Sequence, residues 1–260
     1  MGARLVLVAE DNEINRLVAR AMLLKEGIES AAAHDGAQAV EMALAGDFAA
    51  ILMDCQMPGL DGYEATRRIR ADERRGGVPI IAMTAHSLPA DRDRCLAAGM
   101  DDYISKPVSR QRLREVISRW LPVGAQDIAA APATPSATGE PLSPQPAEVP
   151  VLDGARIARL REEHPPEMRL RLIEAFELAL PAAIDEILGA AQQGDAAGCK
   201  RAAHRLRGSS LMLGAVRLSI ACQKIENSGQ PHGVAGESGG AGRLRALAQE
   251  ARVSLRLQLS

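Results

Sequence analysis

FAAILMDCQMPGLDG, residues 48–62, decides how the first half of the chain is read. Phe48 to Met53 is too short for a helix of its own, apolar on both faces and followed by turn residues. It reads as a buried parallel strand that stops at Asp54. A carboxylate in that position lies where open α/β sheets bind ligands, beyond the carboxyl ends of the strands. Alone, such an aspartate is more simply a turn former or helix cap. Its surroundings in the chain reverse that reading.

Upstream, RLVLVA (residues 4–9) is another apolar run, closed by Glu10 and Asp11. Glu13 to Lys25 places Ile14, Leu17, Val18, Ala21 and Met22 at one-face helical spacing, with Gly27 as a stop. A short strand near Ile28 to Ala33 and a helix from Gly36 to Ala45 lead into the central strand. Downstream, Tyr63 to Arg75 reads as a helix with a solvated basic face of Arg67, Arg68, Arg70, Arg74 and Arg75. VPIIAMT (residues 78–84) is a buried strand ending at Thr84, followed by a helix over Asp91 to Ala98. A last strand, Asp102 to Ser105, is terminated by Lys106-Pro107 before a helix from Ser109 to Trp120. Five strands alternating with five helices predict a doubly wound parallel sheet, because parallel neighbours need helical crossovers. With strand order 2-1-3-4-5, Glu10, Asp11, Asp54, Thr84 and Lys106 converge on one crevice.

Three carboxylates within a few ångströms repel unless a cation joins them, and all-oxygen ligation suits Mg²⁺. A divalent metal, the Lys106 ammonium and the Thr84 hydroxyl around one carboxylate make a cradle for a phosphoryl group, with Asp54 as nucleophile. Asp54 is then an aspartyl-phosphate site.

Through the acidic pair ED, then MDCQMPGLDGYEATRRIR, IIAMTA and AGMDDYISKP, residues 1–122 resemble the receiver domain of a response regulator or hybrid sensor kinase. The resemblance implies a flavodoxin-like sheet. It also implies Asp54 as phospho-acceptor, and Asp11, Asp54 and the Gln56 carbonyl as direct Mg²⁺ ligands, with Glu10 reaching the ion mainly through water. Thr84 and Lys106 would bind the phosphoryl oxygens, Tyr103 would turn inward on phosphorylation, and the Lys106–Pro107 bond would be cis. Glu10 departs from the family, in which Asp is commoner there. His86 either tunes aspartyl-phosphate hydrolysis or is a plain loop histidine; His34 has no assigned role.

From residue 123 to 150 the composition shifts to Ala, Pro, Thr, Ser and Gln with few large apolar side chains, a flexible linker of about 28 residues. Beyond it, residues 151–260 show no strand signal. Helices are predicted over Asp153 to Glu163, Pro166 to Ala191, Asp195 to Leu213, Ala215 to Asn227 and Arg243 to Leu257, with a loop at 229–242. That pattern is a four-helix bundle with a helical appendage. Pro181 is expected to kink the long helix. In CKRAAHRLRGSSLMLGA (residues 199–215), His204, Arg207 and Gly208 share a face, with Lys200 and Arg201 a turn before. A glycine inside a helix costs about 1 kcal/mol against alanine and usually marks a close approach. Here it would let a partner site reach the imidazole, and the cations would offset phosphoryl charge.

AHRLRGSSLMLGA resembles the motif AHxLKGSSxxxGA of the histidine phosphotransfer (HPt) domain. The resemblance implies that His204 is phosphorylated and that the bundle carries the group without an ATP site of its own. Arg207 stands in place of the usual Lys, a planar fork for a point charge. Ser209 and Ser210 read as small packing residues.

At 260 residues, 47% hydrophobic and 25% charged, the chain reads as a soluble globular protein of two modules. A formal charge of -2 gives no sign of nucleic-acid binding, and no apolar run approaches the ~18 residues of a membrane span. Cys55, Cys95, Cys199 and Cys222 lack metal spacing and are expected as reduced thiols in a cytoplasmic protein. Residues 1–122 hold 16 basic and 18 acidic residues and residues 151–260 hold 15 and 12, a weak complementarity for docking. The sequence reading is a two-component phosphorelay protein. Asp54 accepts a phosphoryl group from a sensor histidine kinase, and His204 exchanges it with receiver aspartates. Other receiver and HPt domains are the expected partners, and no membrane contact by the chain itself is expected. The alternatives are a phosphorylation-controlled binding switch or phosphate sink, with His204 serving a separate receiver, and phosphatase action on a partner. With no ATP-binding kinase domain in the sequence, the chain is either free-standing, as Met1 suggests, or part of a hybrid kinase.

Overall fold

The computed structural model describes residues 5–84, 89–121, 149–229 and 240–259. His86, nearly all of the 123–150 segment and most of the 229–242 loop lie outside the described residues.

The α/β module runs β1 (Leu5–Ala9), α1 (Glu13–Lys25), β2 (Glu29–Ala33), α2 (Gly36–Ala45), β3 (Ala50–Asp54), α3 (Gly62–Arg70), β4 (Ile80–Thr84), α4 (Pro89–Ala97), β5 (Asp102–Ser105) and α5 (Arg110–Trp120). All pairings are parallel and the order is β2-β1-β3-β4-β5, the order under which the polar strand ends converge on one crevice. Side chains alternate across the sheet. Val6, Val8, Leu52, Ile81, Met83 and Ile104 belong to the same core as α1 and α5, whereas Leu7, Ile51, Met53, Ile80 and Ala82 join the core of α2 and α3. Both faces are covered, which is why these strands carry apolar residues at nearly every position. Each fully buried Leu or Ile contributes about 1.5–3 kcal/mol.

Helix α3 stops at Arg70, five residues before the sequence expectation, and Arg70 is no solvated cation. Its guanidinium donates to the carbonyls of Gly76, Val78 and Gly99 and to Asp101 Oδ2, folding residues 71–77 back against the sheet. Spacing alone places Arg70 on the outer face, because its partners lie up to 31 residues away.

The helical module comprises α6 (Gly154–Glu163), α7 (Pro166–Gln192), α8 (Ala196–Leu213), α9 (Val216–Ser228) and α10 (Gly240–Leu259). Helices α7 to α10 bury Phe176, Leu206, Leu213, Cys222, Ile225, Leu244 and Leu255, while α6 lies against α7, α8 and α10. Asp153 and Asp195 cap α6 and α8 through their side chains, and Gly214, in the left-handed region at φ 77°, ends α8. Helix α7 continues through Pro181 without a break.

The modules meet where α1 lies on α7 and α8. Ile14, 1% exposed, faces Phe176, Leu180, Ala183 and Leu206, so the apolar cluster runs unbroken from the sheet into the bundle. This contact places the carboxyl ends of the strands beneath α8.

Candidate functional site

Each side chain of the crevice is delivered by the end of a strand. Glu10 and Asp11 follow β1, Asp54 ends β3, Thr84 ends β4 and Lys106 follows β5. The N-terminus of α3 closes beneath Asp54 at Gly62, where a Cβ would stand 2.0 Å from the Asp54 carbonyl oxygen. Only glycine fits there.

Lys106 Nζ lies 2.7 Å from both Asp54 Oδ2 and Glu10 Oε2. The Gln56 amide donates to Asp54 Oδ1 at 3.1 Å, Asn15 Nδ2 to Glu10 Oε1 at 3.0 Å, and Arg16 Nη1 to the Glu10 carbonyl at 2.7 Å. Lys106 donates its own backbone N–H to the Thr84 carbonyl at 2.7 Å and is joined to Pro107 by a cis bond. Burial, and then the charge of Glu10, push the Asp54 carboxyl well above the ordinary aspartate range, partly offset by Lys106. The same two causes raise Asp11 to about 6. Burial alone would lower Lys106, but Asp54 and Glu10 outweigh it and hold the ammonium above the ordinary lysine value. One ammonium among three carboxylates leaves the crevice short of positive charge.

Glu10, Asp11 and Asp54 present oxygens within 4.8 Å of one another, and Asp11 Oδ2 is buried without a hydrogen-bond donor. An all-oxygen set of this size and charge fits a hard divalent cation.

Across the crevice stands α8. His204 Nδ1 lies 2.7 Å from Glu226 Oε1 on α9, and Glu226 Oε2 lies 2.7 Å from Arg207 Nε. With Nδ1 engaged by a carboxylate, the imidazole is held in one orientation and its Nε2 is the nitrogen left for chemistry. Asn12 joins the two modules. Its Oδ1 caps α1 by accepting from the Ile14 and Asn15 amides, while its Nδ2 donates to the Arg205 carbonyl at 3.0 Å and Ser209 Oγ at 2.5 Å. Arg205 reaches from α8 to Asp11 Oδ2, Nε to oxygen 3.6 Å, and also pairs with Glu186. A Cβ on Gly208 would approach Asn15 Nδ2 to 3.2 Å, so the glycine permits this closeness. One cavity of about 30 Å³ results, lined by Glu10, Asp11, Asp54 and Lys106 from the sheet and by His204 and Arg207 from the bundle. It admits a water or two and no nucleotide.

Most of the residues singled out in the sequence are brought together here. Lys200 and Arg201 are not: both are exposed, and Arg201 turns to Asp195 at 3.7 Å. Tyr103 is half-buried and packs on the core shared with α2 and α3. Sequence reasoning missed Asn12, Asn15, Arg205 and Glu226. Arg205 was legible in principle, since it precedes Gly208 and Ser209 by three and four residues on a helix. Glu226 was not, because its role depends on how α9 is rotated against α8. Ser209, read as packing, is a docking residue.

A doubly wound sheet with a strand-end aspartate in an acidic crevice, faced by a helix-borne histidine, defines the phosphoryl-transfer class of signalling proteins. Residues 6–118 match the response regulator receiver domain and residues 171–254 the Hpt domain, so the chain belongs to the two-component phosphorelay proteins. Sensor protein GacS of Pseudomonas syringae pv. syringae is 32% identical over 227 residues, 85% of this chain and 24% of GacS. The chain therefore spans about a quarter of that relative. Among solved structures, the receiver domain of sensor histidine kinase PA1611 from Pseudomonas aeruginosa PAO1, described with a magnesium ion in its active-site cleft, is 47% identical. It is matched over 48% of this chain and 100% of its own, with a TM-score of 0.44. The receiver domain of Ssk1, solved with the Saccharomyces cerevisiae histidine phosphotransfer protein Ypd1, is 35% identical over 45% of this chain and 87% of its own, with a TM-score of 0.43.

Proposed function

We propose that the chain relays a phosphoryl group from Asp54 to its own His204. The observation that carries this reading is the shared cavity: the carboxylate and the imidazole line the same small space. Asp54 takes the group from a sensor kinase phosphohistidine. The His204 Nε2 lone pair then attacks phosphorus, the P–O bond to Asp54 breaks with both electrons leaving on the carboxylate, and a P–N bond forms. Glu226 keeps the Nδ1 proton and shares the positive charge that develops on the ring, as the carboxylate of a catalytic triad does. Lys106 and the Thr84 hydroxyl hold phosphoryl oxygens. Arg207 fixes Glu226, and Gly208 leaves room for the receiver to approach. Glu10, Asp11, Asp54 and the Gln56 carbonyl would hold Mg²⁺, which supplies charge neutralisation for the phosphoryl oxygens. Tyr103 would report phosphorylation to the surface by reorienting.

The partners on this reading are a histidine kinase upstream and a further receiver domain, or a separate HPt domain, downstream. The site of action is the cytoplasm. No helix of the described residues is long and apolar enough to cross a membrane. The switch-or-sink reading is not favoured, because it leaves the placement of His204 opposite Asp54 without a purpose.

The test is phosphorylation of the purified chain by a small-molecule phosphodonor with Mg²⁺ in wild type, Asp54→Asn and His204→Gln, with label sorted by acid and base stability. Acid-labile, base-stable label that requires both residues supports the relay. Label confined to Asp54 in wild type would sink it and favour separate partners for the two modules.

A further inference from the structure

Among the described residues, Arg205 is the one side chain of α8 that reaches a carboxylate of the acidic crevice, and it does so from the other module. It stands 3.6 Å from an oxygen of Asp11 that accepts no hydrogen bond. Its charge is shared with Glu186, but that residue is half exposed and screened by solvent, whereas Asp11 is 7% exposed. The guanidinium thus does from α8 part of what a bound cation would do from within the crevice.

We propose that Arg205 couples docking of the helical module to the state of the receiver crevice. Docking opposes Mg²⁺ binding while Asp54 is unmodified, and the two become compatible once Asp54 carries a phosphoryl group. This rests on the reading of Glu10, Asp11 and Asp54 as the metal site and Asp54 as the acceptor.

The argument is one of charge. Mg²⁺ and Lys106 together neutralise three ionised carboxylates, and Arg205 then brings a positive charge, only partly balanced by the solvent-screened Glu186, into a site with little water. Modification of Asp54 exchanges one negative charge for about two, carried on the phosphoryl oxygens. Arg205 now restores neutrality instead of exceeding it. The closed arrangement is therefore favoured when there is a group to pass on, and loosened when the receiver is loaded with metal alone. The chain is then free to meet its kinase. Because coupling between two binding events is reciprocal, whatever docking does to Mg²⁺ affinity, Mg²⁺ does to docking.

Calorimetric titration of Mg²⁺ into the unphosphorylated full chain tests the first half. Three proteins are compared: wild type, Arg205→Gln, and Ser209→Trp, which keeps Arg205 but blocks the approach of α1. Both variants are expected to bind Mg²⁺ about fivefold more tightly than wild type. Equal affinity in wild type and Arg205→Gln overturns the proposal while leaving the metal site standing. Tightening in Arg205→Gln but not in Ser209→Trp overturns the link to docking. Absence of Mg²⁺ binding in all three overturns both the proposal and the metal-site reading. Small-angle scattering tests the second half. Mg²⁺ alone should expand wild type, and Mg²⁺ with beryllium fluoride, a phosphoryl mimic, should compact it again; a chain equally compact in both conditions overturns the proposal.

Discussion

The carboxylate of Glu226 occupies the Nδ1 edge of His204, 2.7 Å away, and thereby leaves Nε2 as the imidazole nitrogen outside that pairing. A glutamine there keeps the shape and loses the charge that stabilises a cationic ring. Glu226→Gln is expected to slow labelling of His204 from phosphorylated Asp54 by roughly 10- to 100-fold, the usual cost of removing the carboxylate that orients a working histidine. Labelling of Asp54 by a small phosphodonor should be unchanged, since Glu226 does not line the crevice cavity. Single-turnover kinetics on both residues checks this. At this scale the sequence is most informative about groups attached to strand ends, because a strand end fixes position within a residue. It is least informative about partners supplied by another helix or a distant loop, as Glu226 and Arg70 show.

Between elements, the contact of α1 with α8 is held by few bonds and a close approach. Ser209→Ala removes one of the two hydrogen bonds that Asn12 Nδ2 makes across the junction and leaves the α1 cap intact. It is expected to weaken docking by about 1 kcal/mol, roughly a fivefold drop in the ratio of closed to open chains, with little change in the melting of either module. Gly208→Val acts more strongly, because even its Cβ meets Asn15 at 3.2 Å. That variant is expected to abolish transfer to His204 while retaining helix content by circular dichroism; undiminished transfer would show that α1 does not dock there. A glycine in the middle of a helical pattern is legible as a point of close approach from the sequence alone. What approaches it is not, because the residues that meet it are nearly two hundred positions away in the chain.

For the whole molecule, His164 sets an acid limit. It ends α6, is 3% exposed, and neither ring nitrogen has a hydrogen-bond partner. Burial, followed by the charges of Lys25, Arg156 and Arg169, lowers its pKa from 6.5 to about 4. The unfolded chain takes up a proton first as pH falls, so the stability held above about pH 6.5 is lost progressively towards pH 4, by up to about 3 kcal/mol. His164→Leu should flatten that part of the stability–pH profile measured by urea unfolding. The raised Asp11 acts with the opposite sign, so the variant comparison isolates the histidine. The segment from 123 to 150 acts at the same scale. Doubling its length is expected to lower the effective concentration of one module at the other about threefold, read as a slower rate of His204 labelling within the chain. The strands and helices of the described residues are readable, since each follows from local periodicity, whereas the sheet order comes with the family resemblance and not from spacing. The mutual placement of the modules is not readable, because it rests on Asn12, Arg205, Gly208 and Ser209 acting together.

Asn12 divides one amide between two tasks: its oxygen finishes a helix and its nitrogen recognises a neighbour. Aspartate would keep the first and forfeit the second; alanine would forfeit both. Weakening the hold of this receiver on its own bundle while preserving its fold is therefore open to a one-atom change at residue 12. Retargeting it to a foreign bundle is harder, since a new nitrogen-side contact must be found without disturbing the oxygen. Substitution at residue 12 thus meets two demands at once, one from folding and one from the choice of correspondent.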